Sequence, residues 1–321
     1  MVYNLDLKDK RLLYELDSNA RQSNAQIAKK IGLSTEVVNY RIKRLEKENI
    51  ITQYQLIVNL YKLGIMQFKI CLSFSHLKSE KLNQIIEKIK QKKEAKWIVS
   101  TKGNWDLIIS LETDSLENID SLKDEIVSMF GDNINKKAIS ILVEAQTYNR
   151  DYLLGDRRYA HESRIIMKKD KSVKLDNLDL KILKSLSENS RKSIVDIAHE
   201  LKSTVRIANY RIKQLIKNKI ILGFKITINY EKLGIYFFKP FIYLDNPKKE
   251  RVKSLVQYLS SHKNVIHHVK VLGNWDLEPE FEVNLEEEFY KIIDNLKDEY
   301  SEIIKQIEII TISKEHKFVY F

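Results

Sequence analysis

Two short blocks of this 321-residue chain recur at one fixed distance. Asn39-Tyr40-Arg41-Ile42-Lys43 returns as Asn209-Tyr210-Arg211-Ile212-Lys213, and Gly103-Asn104-Trp105-Asp106 returns as Gly273-Asn274-Trp275-Asp276, both 170 residues later. Two unlike motifs that keep one spacing imply duplication of a whole unit. A period of 170 lies far beyond the roughly 20–50 residues of solenoid repeats, so each copy holds complete domains. Whatever the chain folds into is built twice, and the two builds can pair with each other.

Charge follows the repeat. The net charge is +11, and residues 5–52, 156–174 and 175–222 contribute +3, +4 and +5, which leaves the rest near neutral. Excess positive charge held at two separated points suits a polyanionic partner. The start of the chain lacks the basic and apolar run of a secretion signal, and no apolar stretch reaches the ~20 residues that span a bilayer. The chain therefore reads as cytoplasmic. Cys71 is the one cysteine, which rules out an internal disulfide or a thiolate zinc site. It sits in an alternating apolar run and reads as a small buried hydrophobe.

Residues 5–50 predict three helices. Leu5, Leu12, Leu13 and Leu16 share one face. Ser23 with Gln26 forms a capping box for a short helix carrying Ile27 and Ala28 inward, and Gly32 supplies the turn after it. Ser34 caps a third helix with Val38, Ile42 and Leu45 as its apolar stripe, and Ile50-Ile51 leads out into a strand. This order is the helix-turn-helix pattern. The second copy repeats it with Leu175, Ile182, Leu183 and Leu186, then Ser193 with Asp196, then Ala208, Ile212 and Leu215. Lys202 stands where Gly32 stood, so this turn is expected to be strained or remodelled.

A third helix placed in a major groove reads bases with its outward residues. In the first copy these are Ser34, Thr35, Glu36, Asn39, Tyr40 and Lys43. Asn39 offers the donor–acceptor pair that fits adenine, and Lys43 reaches phosphate or guanine. In the second copy they are Thr204, Arg206, Asn209, Tyr210 and Lys213. Arg206 in place of Glu36 gives the two half-sites different preferences. Arg41 and Arg211 either join this surface or pair with acids of the first helix.

After each head the pattern runs strand, helix, strand, strand, helix, strand. In the first body the segments are 66–74, 79–92, 95–101, 105–111, 115–130 and 138–143; in the second, 237–244, 249–259, 265–271, 275–283, 285–296 and 307–312. That order predicts an α+β chain whose bodies are ferredoxin-like βαββαβ sandwiches. Pro240 and Pro279 fall inside predicted strands, which should be bulged or locally unpaired there. The resulting division is 1–52, first head; 53–155, first body; 156–174, basic linker; 175–222, second head; and 223–321, second body.

A helix-turn-helix head of this form followed by such a sandwich with a Gly-x-x-Asp turn resembles the Lrp/AsnC (feast/famine) family of transcription regulators. The matching pieces are Ser34 to Leu45, Ile50-Ile51, Leu63-Gly64 and Gly103 to Asp106. Their counterparts are Ser203 to Leu215, Ile220-Ile221, Leu233-Gly234 and Gly273 to Asp276. Asn49 and Lys219 stand where the family usually has glycine. The resemblance implies winged heads on RAM-type sandwich domains, double-stranded DNA as partner, no cofactor, and pairing of the bodies sheet to sheet. Here that pairing can occur within one chain, as a pseudo-dimer, with further assembly of such units left open. It also implies an amino-acid or other small effector near Gly103, Asp106, Gly273 and Asp276. The plain alternative is that the glycines serve the hairpin, the aspartates cap it, and Trp105 and Trp275 pack at the interface.

Two other readings stand beside this one. Relatives of the same fold act as siroheme decarboxylases with a histidine on the second strand of the sandwich, where His267 and His268 stand. The first copy offers Ile98 and Val99 there, and Val269-Lys270-Val271 lacks the Tyr/Arg pattern expected next. Surface histidines on a strand usually carry no chemistry, so a non-enzyme is favoured. A small-molecule sensor without DNA binding is opposed by the basic heads.

Overall fold

The computed structural model describes residues 2–155, 165–168 and 170–319. Each copy begins with three helices: α1 (Leu7–Ser18), α2 (Asn24–Ile31) and α3 (Thr35–Lys47), then α6 (Asn177–Glu188), α7 (Ile194–Glu200) and α8 (Val205–Lys217). The expected caps are present. The Ser23 hydroxyl and the Gln26 side chain satisfy each other's backbone N–H groups, and Ser34 accepts from the Val37 N–H. Leu5 precedes the first helix instead of lying on it, because Asp6 is the N-cap and accepts from the Asp9 N–H; Leu175 stands likewise before Asp176. Leu12, Leu13 and Leu16 meet Ile27, Val38, Ile42 and Leu45 with almost no exposure. Each such side chain withdraws roughly 1.5–3 kcal/mol worth of apolar surface from water.

The wings are exchanged between copies. Strand β1 (Ile51–Val58) pairs antiparallel with β7 (Ile221–Ile228) as a two-stranded ribbon. Head 1 is tied to β7 by the Ala20 N–H donating to Phe224 (2.9 Å), and head 2 to β1 by the Ser190 N–H donating to Tyr54 (3.0 Å). Arg21 donates to the carbonyls of Ser190 (2.6 Å) and Lys192 (2.9 Å). Arg191 returns the contact to those of Ala20 and Gln22. The heads are thus clamped reciprocally about a quasi-twofold axis.

Body 1 contains β2 (Met66–Phe74), α4 (Ser79–Lys90), β3 (Ala95–Lys102), β4 (Leu107–Thr113), α5 (Leu116–Ser128) and β5 (Ile134–Thr147). A further short strand, β6 (Ile165–Lys168), follows within the expected linker and lies against the end of β5. Residues 156–164 and 169 of that linker lie outside the described residues. Body 2 contains β8 (Tyr236–Phe238), β9 (Phe241–Leu244), α9 (Lys249–Ser261), β10 (Val265–Leu272), β11 (Leu277–Val283), α10 (Glu286–Glu299), β12 (Ile304–Glu308) and β13 (Thr311–Phe318). The sheet orders β5-β2-β4-β3 and β12-β9-β11-β10 are those of the ferredoxin-like sandwich. One face of each sheet packs against its two helices. The other faces the centre of the molecule.

The closing strands depart from expectation. The expected segments 138–143 and 307–312 are stretches of β5 and of β12–β13, whose far ends leave their own body. Strand β5 pairs with β2 over its first part and with β10 from Ile141 to Thr147. Strand β13 pairs with β3, from Thr311 opposite Lys102 to Phe318 opposite Trp97. Each body completes the other, and eight strands close into a ring in the order β10-β5-β2-β4-β3-β13-β8-β11. The prolines behave as proline chemistry requires. Lys239-Pro240 separates β8 from β9, and opposite this break β11 keeps its pairing to β10 at Pro279 while contacting β8 and β9 only on either side.

Inside the ring an ion cluster joins the bodies. Glu278 on β11 accepts from Lys69 on β2 and lies 3.0 Å from Lys239; it also accepts from Trp275 Nε1 (2.9 Å) and Ser140 (3.2 Å). Glu278, Lys69 and Lys239 are buried, and the two ammonium groups hold the carboxyl far below the usual carboxylate range despite its burial. Removing one member of a buried pair strands the other charge. Glu278→Gln is therefore expected to lower stability by about 3–5 kcal/mol in urea unfolding. A loss below 1 kcal/mol would contradict the assignment.

Candidate nucleic-acid interface

The third helix of each head is held from behind and open in front. Val38, Ile42 and Leu45 of α3, and Ala208, Ile212 and Leu215 of α8, face the head cores. On the opposite side, Ser34, Thr35, Glu36, Asn39, Tyr40 and Lys43 are all exposed, as are Thr204, Arg206, Asn209, Tyr210 and Lys213. Tyr40 and Tyr210 are 66% and 59% exposed. Asn39 has one neighbour of its own kind, the Asn24 amide at 3.3 Å, and still projects outward.

The pairing of the two faces needs one adjustment. Thr204 is the N-cap of α8 and accepts from the Ile207 N–H at 3.2 Å. It is the counterpart of Ser34, and Val205 takes the place of Thr35. A base-contacting role shared by Thr35 and Thr204 is therefore not symmetric. Arg206 replaces Glu36 and both are exposed, so the heads present faces of different charge.

The arginines belong to the scaffold. Arg41 donates to Asp6 and Asp9, each at 2.7 Å, and Arg44 reaches Asp9 at 2.6 Å. Arg211 lies 2.8 Å from Asp176 and 3.4 Å from Asp179. These pairs lock the third helix of each head against its first, which fixes how far the reading face projects. The Asp6 carboxyl is pulled below its ordinary value by the Arg41 hydrogen bond acting against its slight burial.

The glycine question resolves in backbone terms. Lys202 holds φ +51°, so the second turn keeps the left-handed conformation that Gly32 adopts at +66°. Asn49 and Lys219 likewise stand at +53° and +54°. The second head has kept the fold of the first and carries strain at two lysines instead of remodelling the turns.

The two Gly-Asn-Trp-Asp turns lie where the bodies meet. Asp106 accepts from the Phe74 N–H (2.7 Å) and Asp276 from the Leu244 N–H (2.8 Å). A Cβ on Gly103 would stand 2.7 Å from the Ile309 carbonyl, and one on Gly273 2.7 Å from the Ile139 carbonyl, in each case backbone of the opposite body. Trp105 and Trp275 face each other at 6.2 Å between ring centroids.

Of the histidines of the siroheme comparison, His268 is buried and His267 half-buried. His268 is 1% exposed beside the Tyr148 hydroxyl (3.2 Å), and His267 Nδ1 lies 3.1 Å from Thr147. Burial drives the His267 ring down to about 4, so it is neutral at physiological pH. Sequence reasoning missed this because the strand covering them, the end of β5, comes from the other body. Cys71 is buried as expected. Among the described residues no group of three or more His, Cys, Asp or Glu could hold a metal ion, and no helix is long and apolar enough to cross a membrane.

Residues 5–52 and 175–221 match the winged helix-turn-helix DNA-binding family. An uncharacterized HTH-type transcriptional regulator of Pyrococcus horikoshii is 33% identical over 117 residues, covering 36% of this chain and 77% of that protein. The HTH-type transcriptional regulator Ptr1 of Methanocaldococcus jannaschii is 30% identical over 104 residues, 32% of this chain and 69% of the relative. These relatives therefore correspond to about one copy of the repeat. The chain belongs to this family of HTH-type transcriptional regulators and carries the winged helix-turn-helix match twice, in tandem. A solved structure of the siroheme decarboxylase NirDL, in complex with an iron-uroporphyrin III analogue, shares the fold across the whole length. Its TM-score is 0.62 at 12% identity, covering 97% of this chain and 93% of that one.

Because Arg41 is spent on Asp6 and Asp9, Arg41→Ala is expected to cost head 1 about 1–2 kcal/mol in thermal unfolding. The variant should leave unchanged the ranking of duplexes bound. A changed ranking at wild-type stability would return Arg41 to the reading face.

Proposed function

We propose that this chain is a DNA-binding transcription regulator in which one polypeptide supplies both reading heads. The observation that carries the reading is the exposure of the outward face of α3 and α8, in both copies, on two heads that are each net positive. Asn39 and Asn209 read adenine edges; Lys43 and Lys213 hold phosphate. Glu36 and Arg206 make the two half-sites unequal, since a carboxylate accepts from cytosine and repels phosphate while a guanidinium favours guanine.

The two Gly-Asn-Trp-Asp turns serve the joint between the bodies. Gly103 and Gly273 admit the opposite backbone at distances that a side chain would block, and Asp106 and Asp276 each hold a backbone N–H. We therefore place no effector there. The chain acts as an intramolecular pseudo-dimer, and as a regulator it carries out no chemistry. Against the decarboxylase reading stands the burial of His268 beside the Tyr148 hydroxyl, while His267 is half-buried and lines an internal cavity. In its favour stands the likeness of fold over the whole length.

The test is duplex binding measured against salt. Affinity should fall steeply as salt rises, and each phosphate-contacting lysine removed should lower the slope by about 1. Lys43→Ala should weaken binding to all sequences alike. Asn39→Ala should cost about tenfold or more on the specific duplex and little on random DNA, in line with about 1–3 kcal/mol per bidentate base contact. Absence of binding at low salt would overturn the proposal, as would equal losses on specific and random duplex for Asn39→Ala.

A further inference from the structure

Between the β1–β7 ribbon and the eight-stranded ring lies a cavity of about 130 Å³. It is distant in kind from the Gly-Asn-Trp-Asp turns, none of whose residues line it. Its wall is apolar over Ile57, Ile226, Ile266 and Phe237, interrupted by a few ionisable groups. Three cations face it, Lys69, Arg150 and Lys225, against four carboxylates, Glu112, Glu280, Glu282 and Glu315.

The pairing of these charges leaves a remainder of one sign. Lys69 is spent on Glu278. Arg150 lies 2.6 Å from Asp17 and forks onto Glu282 at 2.9 and 3.1 Å. Lys225 lies 2.8 Å from Asp17. Glu280 is held by Lys239 at 2.7 Å, and Glu112 faces Lys96 at 3.6 Å. Glu315 has no cation partner among the described residues; one oxygen accepts from Trp97 Nε1 at 2.9 Å. Burial pushes its carboxyl up to about 7, with the Trp97 hydrogen bond opposing the rise. A second polar group is also unspent. Gln55 is 5% exposed, lines the cavity, and its Nε2 has no hydrogen-bond partner among the described residues. A buried donor left unmade costs about 1–3 kcal/mol, so a native fold rarely keeps one without a use.

We infer that this cavity binds a small molecule consisting of a protonated amine on an apolar body with one hydrogen-bond acceptor. The ammonium neutralises Glu315, the acceptor takes the Gln55 amide, and the body fills the apolar wall. An α-amino acid is disfavoured, because every cation in the wall already faces a carboxylate and none is left for a second one. The duplication created the site. Glu280 stands where the first copy has Ser110, and Lys225 where it has Gln55, so a symmetric pair of identical chains would not form this arrangement.

Tyramine carries the three features and serves as the probe. Titration calorimetry on the full chain, without DNA, should show one tyramine bound per chain. Tyrosine, which adds a carboxylate, and 4-ethylphenol, which lacks the amine, should each bind at least tenfold more weakly. Glu315→Gln should reduce tyramine affinity at least tenfold while keeping the Trp97 hydrogen bond. The comparison among the three compounds on unaltered protein decides the matter if that variant fails to fold. No heat of binding, equal affinity for tyrosine, or stoichiometric uptake of siroheme in place of the amine would overturn the inference. Because no DNA is present, these outcomes are independent of whether the heads bind duplex.

Discussion

The structure depends on a single exchange: the last strand of each body leaves its own sheet and completes the other's. Strand β5 ends on β10 and β13 ends on β3. Backbone hydrogen bonds of a sheet cannot be dropped without leaving buried donors and acceptors unmade, so the two bodies cannot separate without opening the ring. The ribbon of β1 and β7 repeats the exchange one level up, and the arginines at 21 and 191 repeat it again between the heads. Each head is therefore positioned mainly by the wing of the other copy. This constraint turns two loosely similar halves into one rigid presenter of two helices.

Fusion then allowed what a symmetric dimer forbids. In a twofold pair of identical chains, every residue near the axis occurs twice and must satisfy itself twice. Here Glu278 has Ile108 as its counterpart, so one carboxylate sits between two lysines, Lys69 and Lys239, that are themselves counterparts. Asp17 has Ser187 as its counterpart, and only head 1 is anchored by the cluster of Asp17, Arg150 and Lys225. The two heads have the same fold but different mountings. Glu36 against Arg206 carries the same divergence onto the exposed faces of α3 and α8.

Much of this was legible in the residues. The heads follow from helical stripes and from caps such as Ser23 with Gln26, which act within a few residues of themselves. The break at Pro240 and the one-sided pairing at Pro279 follow from the missing N–H of proline, and the positive φ of Lys202 and Lys219 follows from the demands of the turn. What the sequence hid was pairing over long range. The ends of β5 and β13 run beyond the expected strands 138–143 and 307–312, because the strands they pair with lie in the other copy. For the same reason His267 and His268 read as surface residues, and the strand at 165–168 read as linker. The exposed faces of α3 and α8 were legible because they are what the core stripes leave over. The cavity was not, since it exists only once ribbon and ring are both assembled.

The central claim is that one chain is the complete twofold reader. Native mass spectrometry of the full chain titrated onto a duplex carrying two half-sites tests it most directly. The duplex should saturate with a single chain, and a duplex reduced to one half-site should hold that chain far more weakly. Saturation by two chains on the two-half-site duplex, with undiminished binding to one half-site, would contradict it.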